Sequence, residues 1–102
     1  MYGHNVYTIM KFKWNEIKNR ENIRNHGIDF KDAEEVFAHP MLTNIDKRFD
    51  YGEERWVGIG FMKGIIAVVV YLENDEKQEI RLISARKATR NESQRFKEKL
   101  EY

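Results

Sequence analysis

The sequence predicts an α+β domain: an antiparallel β-sheet meander with two helices before it and one after it. Three observations predict it. Two helix signals, each with its own cap and stop, fill residues 15–40. Three stretches of strand character between Arg55 and Ala85 are separated by the turn signals Lys63-Gly64 and Asn74-Asp75-Glu76-Lys77. Thr89 then precedes Glu92 by three residues, the spacing of a capping box that opens a last helix.

In chain order, Met10, Phe12 and Trp14 alternate with Lys11 and Lys13, which predicts a half-buried strand from about Thr8 to Trp14 in front of the helices. Asn15 caps a helix running to about His26, and Gly27 ends it in the left-handed conformation. The apolar face of that helix is thin, with only Ile17 and Ile23, so it is expected on the surface. Asp29 caps a second helix from Phe30 to about Ala38, with Phe30, Ala33, Val36 and Phe37 on one face and Pro40 after it. Residues 41–52 carry mixed signals and are expected to be a loop with at most a short edge strand. In the strand from Arg55 to Phe61, Arg55, Val57, Ile59 and Phe61 share one face. Glu54, Trp56, Gly58 and Gly60 share the other, where two glycines leave room for a ligand or another backbone. Ile65 to Leu72 is apolar on both faces, as a central strand covered on each side requires. Glu79 to Ala85 alternates again, and the last helix carries Glu92, Phe96 and Leu100 on one stripe.

The 102 residues fit one domain, divided as an extension over residues 1–9 and a domain over 10–102. A domain this small handles a polymer in a surface groove. Without cysteine there is neither a disulfide framework nor a thiolate metal site. No apolar run approaches the ~20 residues of a membrane span, and the first residues lack the pattern of a secretory signal, so no membrane association and a cytoplasmic location are expected. The net charge of +1 hides an asymmetry: residues 81–99 hold seven basic side chains against two acidic ones, whereas residues 1–80 hold 11 basic and 14 acidic. A basic end favours an anionic partner, although a solvated helix has the same composition.

His4, His26 and His39 have no neighbours at metal-ligand spacing, and no metal or other cofactor is expected. No phosphate-cradling glycine loop or serine elbow is present. Metal-free cleavage of RNA remains chemically open, because RNA carries its own nucleophile in the 2′-hydroxyl. The protein then needs proton transfer and cations for the pentavalent phosphorane. His26 is the central residue whose type suits proton transfer near neutrality, and it equally suits a helix C-terminus. Glu54 is a second proton-transfer candidate, or an orienter of an arginine. Arg81, Arg86 and Arg90 are the phosphate candidates, with Lys87 and Arg55 adding charge. Trp56 and Tyr71 offer faces on which a base can stack, and equally fit a core.

Met10-Lys-Phe-Lys-Trp14, Asn25-His26-Gly27-Ile28, Phe30, Ala33 and Val36-Phe37 resemble the first half of the BrnT family of bacterial toxins. Gly52-Glu53-Glu54-Arg55-Trp56, Ile59-Gly60 and Ile83-Ser84-Ala85-Arg86-Lys87-Ala88-Thr89 resemble its second half. The chain departs from the family's usual pattern at Asn15 and Asn25. The resemblance implies a RelE-like ribonuclease toxin that inhibits translation and is neutralised by a BrnA-type antitoxin with a ribbon-helix-helix part, through which alone it meets operator DNA. On that reading the catalytic residues are His26, Glu54, Arg81 and Arg86, and the RNA-binding residues are Lys87, Arg90, Arg55 and Trp56. The alternative is a non-catalytic interaction module within an autorepressing complex.

Overall fold

The computed structural model describes residues 10–48 and 50–100. The N-terminal extension and the expected strand start at Thr8 lie outside them. Five strands, β1 (Lys11–Lys13), β2 (Leu42–Ile45), β3 (Trp56–Met62), β4 (Ile65–Asn74) and β5 (Glu79–Lys87), form one sheet in the order β1-β5-β4-β3-β2. The helices are α1 (Glu16–His26), α2 (Phe30–Ala33) and α3 (Arg90–Leu100).

The meander β3-β4-β5 is antiparallel, but the sheet as a whole is mixed, because β1 pairs with β5 in parallel. This corrects the expectation of a purely antiparallel sheet. Helix α1 follows β1 directly, so the chain leaves that strand along a helix rather than through a hairpin. The mixed-signal stretch supplies the edge strand β2, paired antiparallel with β3. The expected second helix is one α turn followed by a 3₁₀ segment, Glu34–Ala38.

Local signals act as the residue types dictate. The Asn15 side chain accepts a hydrogen bond from the Lys18 amide at 3.1 Å, and Gly27 stands at φ 72°. Lys63 and Gly64 both take positive φ, which matches a tight hairpin to the twist of β3 and β4. Thr89 and Glu92 close the capping box reciprocally, at 2.8 and 3.2 Å.

One face of the sheet carries Met62, Ala67, Val69, Tyr71, Ile80, Leu82 and Ala85 and is covered by Phe30, Ala33, Val36 and Phe37. Phe37 meets Tyr71 edge-on, with centroids 4.9 Å apart, so Tyr71 belongs to the core. Gly58 and Gly60 are filled from this side. A Cβ on Gly58 would overlap the Met41 methyl, and one on Gly60 would come within 3.0 Å of the Val36 side chain. The glycine face is therefore a packing surface for Val36 and Met41 and not a ligand site.

The opposite face bears Val57, Ile59, Val68 and Val70. Helix α3 crosses only part of it, where the buried Phe96 packs edge-on against Phe61 at 5.1 Å. A β-bulge decides what else this face presents. Val70 pairs with Ser84 but Tyr71 with Leu82, so Ile83 is an extra residue. Leu82 and Ala85 consequently both reach the core, and Ser84 and Arg86 join Arg81 on the open face.

Candidate active-site groove

Between α3, the end of α1 and the segment after β2, the open face sinks into a depression of about 570 Å³. Val57, Ile59, Val68, Val70 and Ser84 form its floor, and His26, Asp46, Arg48, Arg86, Glu92 and Arg95 are in its walls.

His26 reaches the groove because α1 is fastened by polar anchors. The Asn22 side chain donates to the Ile28 and Ala85 carbonyls, both at 2.8 Å, and accepts from the Ala85 amide at 3.0 Å. It completes the backbone bonding of β5 beyond the short β1, which pairs only as far as Arg81. Asn19 accepts from the Phe30 amide at 2.9 Å and donates to Asp29, so the buried face of α1 is Asn19 and Asn22. Ile17, 64% exposed, and Ile23, 41% exposed, point away. His26 itself is exposed at the end of the helix.

Arg86 is aimed by Glu92. Two guanidinium nitrogens donate to the two carboxylate oxygens, each at 2.8 Å. That pair, with help from the Thr89 amide, holds the Glu92 carboxyl down at about 2, and it raises the Arg86 pKa. On another wall, the buried Asp46 accepts from the Arg48 side chain twice at 2.9 Å, from the Arg48 amide at 3.1 Å and from the Tyr51 hydroxyl at 3.1 Å. The Arg48 bonds keep the Asp46 carboxyl well below the usual range despite its burial.

The residues singled out in the sequence do not all meet here. His26 and Arg86 line the groove. Glu54, Arg81 and Trp56 line a second depression of about 330 Å³, with Glu53, Leu72, Glu73, Asn74 and Glu79. Arg81 forms no ion pair with any described residue. Trp56 also packs against the core. Arg55 lies 4.0 Å over the Tyr51 ring and bonds Glu53 at 3.2 Å. Lys87 and Arg90, at the end of β5 and the start of α3, are exposed and line neither depression. Sequence reasoning missed Asp46, Arg48 and Arg95. For Asp46 and Arg48 the only local signal is an Asp-x-Arg turn in a stretch without periodicity, and Arg95 is one basic residue among several on α3. Both groove carboxylates are engaged by arginines, and among the described residues no three of His, Asp or Glu gather at one point.

The fold has known counterparts. The family model described as the ribonuclease toxin BrnT of type II toxin-antitoxin systems matches residues 14–92. The crystal structure of the ribonuclease toxin BrnT from Brucella abortus superposes with a TM-score of 0.60 at 30% sequence identity, covering 79% of this chain and 99% of that one. Comparison with the curated proteins finds no match. A family match over most of the chain, agreeing with a solved relative in fold, places this protein in the BrnT family of ribonuclease toxins of type II toxin-antitoxin systems.

Proposed function

We propose that the chain cleaves RNA without a metal ion, in the groove on the open face of the sheet, and thereby inhibits translation. The observation that carries this reading is that the groove unites His26 with Arg86, whose guanidinium is already oriented by Glu92. A phosphodiester seated there meets arginine donors at its non-bridging oxygens, where charge develops as the 2′-oxygen attacks. Glu92 and Asp46 are held ionised in arginine pairs, which leaves His26 to take the proton of the attacking 2′-hydroxyl as the 2′-O–P bond forms and to return it to the 5′-oxygen as the P–O5′ bond breaks. The valine and isoleucine floor lowers the local dielectric and strengthens both interactions.

A type II system supplies a protein antitoxin as partner. For this chain we take it to be BrnA-type and to present acidic residues to the groove walls, contacting operator DNA itself, with both proteins in the cytoplasm. The test is cleavage of a labelled RNA by the purified chain in excess chelator, beside the same RNA bearing 2′-O-methyl groups. Cleavage of the first alone, leaving a 2′,3′-cyclic phosphate, is the expected result. An intact natural RNA, with and without ribosomes, would instead support a purely interacting module.

A further inference from the structure

We propose that Arg48 is a second phosphodiester-binding arginine of the groove and that Asp46 is the positioning residue that aims it. The inference rests on the ribonuclease reading for its substrate, but the geometry behind it is independent of the family.

Arg48 combines two properties that rarely coincide. Its side chain is 68% exposed, yet it is tied through two nitrogens to a carboxylate that is 1% exposed. Burying a carboxylate is costly unless it is paired and its remaining lone pairs are satisfied. Asp46 meets that requirement with four donors, two of them the Arg48 guanidinium. The result is a long, solvent-facing arginine fixed at the groove wall before any ligand arrives, so less freedom is lost on binding.

The other wall repeats the device. Glu92 holds Arg86 as Asp46 holds Arg48, and the Arg48 charge reaches Arg86 closely enough to oppose its protonation. Two like charges directed into one groove are better accommodated once an anion lies between them. The donors also differ in what remains. Of the five N–H groups of a guanidinium, Arg86 spends three, on Glu92 and the Lys87 carbonyl. Arg48 spends two, on Asp46. Arg48 therefore has more to offer a phosphate in this groove than Arg86 has.

The experiment measures binding of a non-cleavable 2′-O-methyl RNA oligonucleotide across a salt series, and cleavage of the natural oligonucleotide. It compares Arg48→Ala, Arg48→Lys, Asp46→Asn and Tyr51→Phe with the charge control Arg20→Ala on the exposed surface of α1. Arg48→Ala should bind the oligonucleotide roughly tenfold more weakly, with a salt slope lower by about one. Arg48→Lys and Asp46→Asn keep the positive charge and lose the fixed fork. They should keep the slope and lose at least tenfold in kcat with KM within a few-fold. Tyr51→Phe, which removes one of the four donors to Asp46, should move kcat the same way by less, and it serves if Asp46→Asn does not fold. If Arg48→Ala and Arg48→Lys match Arg20→Ala in both measurements, or the wild-type chain does not bind the oligonucleotide, the proposal is overturned. Should the wild-type chain bind in an Arg48-dependent way without cleaving, the ribonuclease reading fails and the arginine site stands.

Discussion

Asn22 does at residue scale what an apolar stripe does in most surface helices. It ties α1 to β5 through two bonds to Ala85 and to the segment after α1 through one to the Ile28 carbonyl, all with backbone groups that would otherwise be buried and unpaired. Asn22→Ala should therefore destabilise the fold by about 2–3 kcal/mol in urea unfolding, and a loss below about 0.5 kcal/mol would mean that those groups find other partners. The same residue marks a boundary of legibility. Hydropathy periodicity looks for aliphatic side chains, so it selects Ile17 and Ile23, which face solvent, and passes over the two asparagines that are buried. Arg86 shows a second boundary. Its type and position suggest phosphate binding, but strict alternation places it on the same side as Ile80 and Leu82, in the core. Only the extra residue Ile83 turns it to the open face, and bulges leave no periodic trace in a sequence.

At the scale of elements, α3 is joined to β5 by one carboxylate with two tasks. Glu92 closes the capping box and holds Arg86. Its pKa is about 2 in the fold against 4.5 ordinarily, so its stabilising contribution is complete above about pH 4.5 and is lost as the pH falls towards 2. Thermal midpoints of the wild type and Glu92→Gln, whose amide still suits the cap, should differ most above pH 4.5 and converge near pH 2. A gap that is constant across that range would remove the charge from the explanation. The caps at Asn15, Asp29 and Thr89, the Gly27 stop and the Lys63-Gly64 turn were all readable, because each is a local demand met by a particular residue type. The bounds and register of the edge strand β2 and the parallel pairing of β1 were not, because both depend on partners that stand 10 or more residues away in the chain.

The molecule as a whole is a five-stranded sheet packed on one face and left partly open on the other, with two depressions along that open face. Register places Arg81 opposite Leu72 and Ser84 opposite Val70, so along β4 and β5 the lining of the second depression follows directly on that of the first. His26 and Arg86 are in one and Glu54 and Arg81 in the other, and the proposed cleavage belongs to the first. Its most direct test is the single-turnover cleavage rate of one labelled RNA, in chelator, by His26→Gln and by Glu54→Gln, both at exposed positions where folding is not at stake. His26→Gln should be slower than wild type by roughly 10²–10⁴-fold, and Glu54→Gln should stay within a few-fold of it. Wild-type rates from His26→Gln together with a collapse in Glu54→Gln would contradict it and move the reaction to the second depression.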